Sequence, residues 1–177
     1  MGYAVQLYFD PPLEAASNVL RQSLAAAGVT PTLDRLGDRP HISLSVLNSL
    51  DGARFLPLLE RFAGSCEPFS VEFAAFASFP TDQGVVYLSP APSEVLRRCQ
   101  KQLHELLVGI EAEVHEYYVP RAWVPHSTVG FGLPAPEVSL ALAWLRDHFK
   151  PMAGRFTHIG VIEFPPVKEM ARYPLGV

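Results

Sequence analysis

The sequence predicts an α+β fold built on largely antiparallel sheets, and three observations support this prediction. Segments with the period of a strand and segments with the period of a helix intermix along the 177 residues. Residues 69–79 and 84–89 have the pattern of two strands joined by Pro80-Thr81-Asp82-Gln83, which is typical of a hairpin and not of an all-parallel sheet. A short motif also occurs twice, about half a chain apart, which indicates an internal duplication.

The first half of the chain begins with a strand followed by a helix. Residues 3–9 alternate with the strand period and are rich in aromatic and β-branched side chains. Apolar residues then recur at helical spacing over residues 13–27, and Gly28 lies where the cap of that helix is expected. The first copy of the motif predicts a second strand, and residues 55–62 predict a second helix. The order strand then helix therefore repeats.

The second half follows the hairpin with a helix, a strand, a helix and a last strand. Residues 93–107 predict an amphipathic helix with Ser93 as its N-cap. The second copy of the motif predicts a strand, residues 138–149 predict a helix, and residues 156–164 alternate as the last strand. The prolines lie at the ends of these elements and do not form one long linker. We therefore expect a single domain over residues 1–177.

The composition argues against several classes of protein. A net charge of -4 with only 14 lysines and arginines does not suit a protein that binds along many phosphates, so we expect no long duplex nucleic acid as a partner. Cys66 and Cys99 lack the paired spacing of a disulfide framework or a zinc site. No apolar stretch reaches the roughly 18 residues of a membrane span, and the first residues do not resemble a signal peptide. We expect a monomeric, cytoplasmic protein without membrane contact.

The repeated motif is a histidine that follows a proline and precedes, by two places, a residue with a hydroxyl group. It occurs as Pro-His-Ile-Ser at residues 40–43 and as Pro-His-Ser-Thr at residues 125–128. Because side chains alternate between the faces of a strand, each histidine shares a face with its hydroxyl residue. The side chains predicted to face a common space are those of His41, Ser43 and Ser45 in one strand and His126, Thr128 and Gly130 in the other. Gly130 would leave room there for a ligand.

Two opposed histidines indicate acid and base catalysis at phosphorus or a comparable centre. One imidazole takes the proton of the attacking oxygen and the other gives a proton to the leaving oxygen, and a pKa near 6.5 suits both roles near neutral pH. The two hydroxyl groups can donate hydrogen bonds to the non-bridging oxygens of a phosphate. This chemistry needs no metal or other cofactor. A metal site at His41 and His126 would need further ligands, and no such cluster accompanies them in the sequence.

With these motifs the chain resembles the two-histidine (2H) phosphoesterase superfamily, in its 2',5'-RNA ligase-like and cyclic phosphodiesterase branch. The matching stretches are residues 39–44 and 123–129, and the opening residues 3–11 resemble the first strand of that branch. The resemblance implies a bilobed fold with pseudo-twofold symmetry. In such a fold, duplicated antiparallel sheets with flanking helices place the two motifs across a central groove.

The resemblance also implies an activity, namely metal-independent cleavage of a 2',3'-cyclic nucleotide phosphate or of a related phosphodiester at an RNA 3' end. His41 and His126 then form the catalytic acid and base, and Ser43 and Thr128 bind the phosphate. The sequence does not distinguish which histidine is the acid, because the roles exchange if the substrate binds in the opposite direction. The alternatives are a binding module of the same fold that recognises a nucleotide or an RNA end without turnover, and a metal-dependent hydrolase.

Several residues near the motifs are candidates for further substrate contacts. Members of the superfamily that act on RNA often carry a basic residue soon after the second motif, whereas this chain has Gly130-Phe131-Gly132, which favours a small nucleotide or an RNA terminus over long RNA. Guanidinium groups could supply positive potential, and aromatic rings could stack on a base. The candidates are Arg35, Arg39 and Arg121 for the first role and Tyr118 and Trp123 for the second, with surface charges and groove wall as the simpler interpretations.

Overall fold

The computed structural model describes residues 2–30 and 37–177. The strands in this part of the chain are β1 (Gly2–Phe9), β2 (His41–Ser49), β3 (Phe69–Ser78), β4 (Val86–Pro90), β5 (Glu113–Val114), β6 (Ser127–Gly130), β7 (Met152–Phe164) and β8 (Lys168–Pro174). Its α-helices are α1 (Pro11–Ala26), α2 (Gly52–Ser65), α3 (Glu94–Gly109) and α4 (Ala135–His148), and a 3-10 helix spans Glu116–Tyr118. None of the helices in these residues is long and apolar enough to cross a membrane.

All strand pairs among these elements are antiparallel. The strands form one sheet in the order β5-β2-β1-β7-β3-β4-β6, with β8 paired to β7. The long strand β7 joins the two arms of the sheet, because its residues up to Phe156 pair with β3 and those from Phe156 onward pair with β1. One arm carries β1, β2, β5 and β8, and the other carries β3, β4 and β6. The prediction of an α+β fold with antiparallel strands is confirmed, and the two arms belong to one continuous sheet.

The strands that the sequence analysis missed are short or exposed. β5 has two residues, and β8 has no buried residue along its seven positions, so neither carries an alternating apolar pattern. β7 begins at Met152, four residues before the predicted start at Phe156. These extra residues pair with β3 at the junction of the arms. Residues 152–155 belong to the strand because they pair with β3, and not because of a pattern in the polarity of their side chains.

The helices α1, α2 and α3 each begin after a capping side chain, whereas α4 follows Pro134 without one. Asp10, Asp51 and Ser93 each accept a hydrogen bond from the main-chain N–H three residues further on, and the cap at Ser93 agrees with the prediction. The Asp51 cap starts α2 at Gly52, before the first apolar residue of its buried face, which is why the periodicity alone placed its start too late. Gly28 follows α1 with a φ of 92°, a conformation that glycine adopts readily.

The core at the junction of the two arms is aromatic. Phe9 on β1, Phe73 on β3 and Phe156 on β7 are fully buried, and the ring centroid of Phe9 lies 5.5 Å from those of both other rings. Burial of each such side chain contributes roughly 1.5 to 3 kcal/mol. α1 packs on β1 and β7, α3 packs on β2, and α4 packs on β3 and β4. The apolar face of the sheet is thus covered by helices, and the polar motif residues lie on its other face.

A β-bulge in β2 changes which motif residues share a face. Val5 pairs with Ser45, but the next residue of β1, Gln6, pairs with Ser43, so Leu44 is an extra residue in β2. Ser45 therefore lies opposite the buried core residue Val5 and is only 2% exposed. The prediction that Ser45 faces the same space as His41 and Ser43 is wrong, because the bulge reverses the alternation after Leu44.

Candidate active site

The two motif strands meet although they lie far apart in the sheet order. β2 is the second strand of the order and β6 is the last, yet the two strands are in contact. Trp123, just before β6, donates a hydrogen bond from Nε1 to the main-chain oxygen of Ser43 over 3.0 Å. The motifs are thereby joined directly, and His41 and His126 are close enough that the charge of one lowers the pKa of the other.

Each motif histidine is held by the same hydrogen bond to its own chain. Nδ1 of His41 lies 2.6 Å from the main-chain oxygen of Arg39, and Nδ1 of His126 lies 2.8 Å from that of Val124. A carbonyl oxygen only accepts, so both rings carry their proton on Nδ1 and turn Nε2 away from their own strand. The proline between the carbonyl and the histidine has a fixed φ and no N–H, which favours this local bend. The geometry gives a physical reason for the repeated Pro-His pair.

His41 is the more enclosed of the two histidines, with only 9% of the residue exposed. Its Nε2 lies 3.1 Å from Nε2 of Gln6, and the hydroxyl group of Tyr8 donates to Oε1 of Gln6 over 2.8 Å. Since an amide nitrogen only donates, Nε2 of His41 is the acceptor and the ring is neutral. Oδ1 of Asp38 lies 3.4 Å from Nδ1 on the other side of the ring. His41 is thus contacted from both sides by polar groups.

His126 packs against a pair of aromatic rings. Its ring centroid is 5.0 Å from that of Phe79 and 5.4 Å from that of Tyr87, both in edge-to-face arrangements. Phe79 and Tyr87 are themselves stacked, with centroids 4.4 Å apart. These contacts restrict the ring of His126.

The environment lowers the pKa of both histidines below the usual value near 6.5. Burial is the largest cause for each, because a desolvated imidazolium is disfavoured. At His41 the Asp38 carboxylate and the Arg39 carbonyl oppose this effect, whereas the guanidinium of Arg21 adds to it. At His126 the Val124 carbonyl opposes it and His41 adds to it. Both rings are therefore neutral at pH 7.

Arg21 is a site residue that the sequence analysis missed. It is only 2% exposed, and it donates from Nη1 to the main-chain oxygen of Asp38 over 3.0 Å and from Nη2 to that of Thr128 over 2.8 Å. One side chain from α1 thus contacts the segment before the first motif and the second motif strand. The helical period could have indicated its burial, because it places Arg21 beside Leu20 and Leu24 on the buried face of α1.

The chain matches, over residues 9–165, the sequence profile of the 2'-5' RNA ligase superfamily. It belongs to this superfamily. A protein of Geobacillus kaustophilus (strain HTA426) named "Putative phosphoesterase GK0864" is 30% identical over 123 residues, which are 66% of this chain and 67% of that protein. A Geobacillus sp. (strain WCH70) protein, "Putative phosphoesterase GWCH70_0799", matches with the same identity and coverage. The resemblance to two-histidine phosphoesterases is confirmed.

Solved structures share the fold of this superfamily member over nearly its whole length. TT0787 of Thermus thermophilus matches with a TM-score of 0.65 and 16% identity, covering 99% of this chain and 98% of that one. E. coli LigT complexed with 3'-AMP matches with a TM-score of 0.64 and 14% identity at the same coverage. Kluyveromyces marxianus Usb1 with uridine monophosphate matches with a TM-score of 0.50 and 14% identity, covering 98% and 97%. At these identities the likeness establishes the fold.

Ser43 and Thr128 are both partly exposed and come two residues after their histidines. Ser43 shares a face of β2 with His41, and binding of a phosphate by the two hydroxyl groups stays a prediction. Their main-chain oxygens accept hydrogen bonds from buried donors, Trp123 for Ser43 and Arg21 for Thr128. Gly130 differs from the prediction, because a Cβ atom there would lie 2.7 Å from Cδ1 of Leu133. The space beside Gly130 is filled by Leu133 and is not room for a ligand.

The predicted substrate contacts are placed in different surroundings. Arg39 donates two hydrogen bonds to Glu14, from Nε over 2.9 Å and from Nη2 over 2.6 Å, and its guanidinium lies 5.3 Å from the ring centroid of Tyr8. Arg121 is exposed, and Arg35 lies outside the described residues. Their contact with a substrate stays a prediction.

The two predicted stacking residues are engaged by the protein. Trp123 is 5% exposed and uses its indole N–H on Ser43. Tyr118 packs against the hydrophobic core, which raises the pKa of its hydroxyl to about 12, and its main-chain oxygen accepts a 2.7 Å hydrogen bond from Gln100. Trp123 thus contacts the first motif strand directly, and the 3-10 helix that carries Tyr118 packs on the same strand. Stacking of either ring on a base stays a prediction.

An apolar cavity of about 190 Å³ lies beside His41 and Ser43. Its polar lining consists of these two residues with Gln6 and Asp38. The apolar walls come from β1, β2, β7 and the segment after β6, and include Ala4, Val46, Phe131, Ile162, Phe164 and Val167. Among the described residues, no lysine or arginine lines this cavity. In residues 2–30 and 37–177, no group of three or more His, Cys, Asp or Glu is arranged to hold a metal ion.

Proposed function

We propose that this protein is a metal-independent phosphodiesterase that hydrolyses a 2',3'-cyclic nucleotide phosphate or a cyclic phosphate at an RNA 3' end. The observation that carries the proposal is the matched orientation of His41 and His126. Both rings donate Nδ1–H to the carbonyl two residues earlier, which makes Nε2 of each the nitrogen for proton transfer.

In the proposed reaction one histidine acts on the water and the other on the leaving oxygen. A neutral Nε2 takes a proton from water as its oxygen bonds to phosphorus, and the second ring, protonated on Nε2, gives its proton to the ribose oxygen as the phosphorus–oxygen ester bond breaks. Ser43 and Thr128 donate hydrogen bonds to the non-bridging oxygens and stabilise the charge that develops on them. The direction of substrate binding decides which ring acts as base.

The cavity beside His41 favours a substrate with a single phosphate and an uncharged organic part. An apolar wall of aromatic and aliphatic side chains suits the flat faces of a nucleobase, and a volume of about 190 Å³ suits one ring system. The carboxylate of Asp38 at its edge disfavours a second phosphate there. The solved complexes of LigT with 3'-AMP and of Usb1 with uridine monophosphate support a small nucleotide as ligand.

The test is hydrolysis of 2',3'-cyclic nucleotides in the presence of EDTA, followed by product analysis. We expect His41→Ala and His126→Ala each to lower kcat/KM by about 10² to 10⁴. His148→Ala is the matched control, because His148 also donates Nδ1–H to a main-chain oxygen but lies exposed on α4 beside Trp144. Activity that survives both motif substitutions would overturn the proposal. Loss of activity in EDTA with recovery on added zinc or manganese would favour the metal-dependent alternative.

One observation favours the second candidate, a nucleotide-binding module without turnover. Nε2 of His41, the nitrogen for proton transfer, already accepts a hydrogen bond from Gln6. A protein that only binds could keep this bond permanently. Calorimetric binding of 3'-AMP, together with no product from 2',3'-cyclic nucleotides, 2',5'-linked dinucleotides or cyclic-phosphate oligonucleotides, would support the module.

A further inference from the structure

Gln6 and Tyr8 form a buried hydrogen-bonded pair behind the reactive nitrogen of His41. They stand two residues apart on β1, on the face toward the motif, and are 2% and 3% exposed. Tyr8 donates to Oε1 of Gln6 over 2.8 Å, and Nε2 of Gln6 lies 3.1 Å from Nε2 of His41. Neither residue belongs to the repeated motif.

This pair can satisfy His41 in either of its protonation states. With neutral His41, as observed, the amide nitrogen donates to the ring and the amide oxygen accepts from Tyr8. If His41 takes a proton on Nε2, that nitrogen becomes a donor, and a half-turn of the Gln6 amide presents Oε1 to it. The amide nitrogen then faces the Tyr8 oxygen, which accepts, and the phenolic O–H rotates away from Gln6. Only orientations change, because no proton passes between the three side chains.

Such an arrangement matters because the ring has little access to water. A buried polar group that loses its partner is strongly destabilised, so a buried imidazole needs a partner both before and after it takes up a proton. Water normally supplies that partner by reorienting. At His41, which is 9% exposed, the reorienting groups are an amide and a phenol instead.

The ring of Tyr8 is held firmly enough to serve as the second partner. Gly160 on β7 makes room for it, since a Cβ atom at that position would lie 2.8 Å from Cε2 of Tyr8. The guanidinium of Arg39 lies 5.3 Å from the ring centroid on the outside. Burial raises the pKa of Tyr8 well above its usual value, so the phenol keeps its hydrogen. Within residues 2–30 and 37–177, the charged and titratable groups that act on Tyr8 or His41 are Asp38, Arg39, Glu14, Glu169, Arg21 and His126.

We propose that Gln6 and Tyr8 are positioning residues: the Gln6 amide hydrogen-bonds to Nε2 of His41 in both of its protonation states and Tyr8 holds that amide, so that a buried imidazole can accept and release a proton in each cycle. The effect on catalysis rests on the proposed function, whereas the hydrogen bonding of Gln6 to His41 and of Tyr8 to Gln6 does not require turnover. Measuring the protonation of the His41 ring directly therefore tests the hydrogen bonding separately from the activity.

The first experiment is ¹⁵N NMR of the imidazole nitrogens across pH in the full-length protein. We expect the wild-type ring of His41 to be protonated on Nδ1 at neutral pH and its pKa to fall by roughly half a pH unit or more in Gln6→Leu, because the imidazolium loses its acceptor. In Gln6→Glu the carboxylate raises the pKa of His41 instead. His126 serves as the internal reference. An Nε2-protonated wild-type ring, or a His41 titration unmoved by both substitutions, would overturn the inference.

The second experiment measures activity on a 2',3'-cyclic nucleotide. We expect Gln6→Leu and Tyr8→Phe to lower kcat about tenfold with KM within twofold, and the acid limb of the pH profile to shift with the NMR titration of His41. Tyr3→Phe is the control, because Tyr3 lies on the opposite face of β1. An unshifted profile in both variants contradicts the inference. Altered NMR titrations in a protein without activity would instead refute the proposed function and retain the positioning role.

Discussion

Arg21 donates a hydrogen bond from Nη2 to the main-chain oxygen of Thr128 over 2.8 Å, from the first helix to the second motif strand. The same guanidinium reaches Asp38, next to the first motif, and Trp123 makes the opposite connection from the second motif to Ser43. The two hydroxyl residues that are predicted to hold the phosphate thus have their main chains fixed by buried donors. The spacing of the site depends on residues outside the motifs.

Replacing Arg21 with Met is expected to reduce both stability and activity. The substitution leaves the carbonyl groups of Asp38 and Thr128 without their donor, which costs roughly 3 kcal/mol in the free energy of unfolding. We also expect a fall in kcat on a cyclic nucleotide, because the motif strands lose their common anchor. Urea denaturation and steady-state kinetics measure the two effects. Arg155→Met is the control, since Arg155 also donates to a main-chain oxygen, that of Pro68, but at an exposed position. Equal effects of both substitutions would contradict the prediction.

Trp123→Phe separates a positioning role from base stacking. The substitution keeps an aromatic ring but removes the indole N–H that holds the Ser43 oxygen, so we expect a loss of about 1 to 3 kcal/mol in stability and a lower kcat. If Trp123 only positions Ser43, purine and pyrimidine cyclic nucleotides are affected equally. A larger rise in KM for the purine, which offers more stacking surface, would instead support contact with the base. Trp144→Phe on α4 is the matched control.

Ser43→Ala and Ser45→Ala are expected to differ sharply although the residues are two places apart. Ser43 faces the site, and loss of its hydroxyl group should lower kcat/KM by about 10². Ser45 lies on the other face because of the bulge, and its buried Oγ has no hydrogen-bond partner among the described residues. Ser45→Ala should therefore leave kcat/KM within about twofold and leave stability unchanged or slightly raised. Comparable losses of activity in the two variants would show that the bulge does not separate their roles.

The pH optimum of kcat/KM is expected below about pH 6.5. The pKa of each histidine in the free enzyme is lowered, mainly by burial. Activity needs one neutral and one protonated ring, so the rate falls at a pH below both pKa values and again above both, and the maximum lies between them. A pH series of kcat/KM tests this. An optimum well above pH 7 would show that burial does not govern these groups in solution.

Folding stability is expected to depend on the protonation of His41. As pH falls, the unfolded state protonates His41 near pH 6.5 before the folded state does, because the folded pKa is lowered. The contribution of His41 to stability is therefore complete above that value and is lost as the pH falls toward the folded pKa. We expect the difference in free energy of unfolding between wild type and His41→Gln to shrink between pH 7.5 and pH 5. A difference that grows with acidity would contradict the lowered pKa.

The elements that could be predicted from the sequence are those whose signal is local. The hairpin strands, the cap at Ser93 and the paired motifs each depend on neighbours within a few residues. β5 and β8 could not be predicted, because they are strands through pairing with distant partners. Arg21 carried a signal, a charge on the apolar face of a helix, but its partners are more than a hundred residues away in one case.

The sequence by itself determined the antiparallel α+β class and the two Pro-His motifs with their hydroxyl residues, because side-chain alternation and hydrogen-bond chemistry operate within a strand. Only the tertiary structure decided that Ser45 turns to the core and that Leu133 fills the space beside Gly130. It also decided that Gln6 and Tyr8 lie behind His41. The physical reason is that a bulge, and the packing of side chains from separate elements, depend on which strands pair. The periodicity of a single segment does not identify the strand with which it pairs.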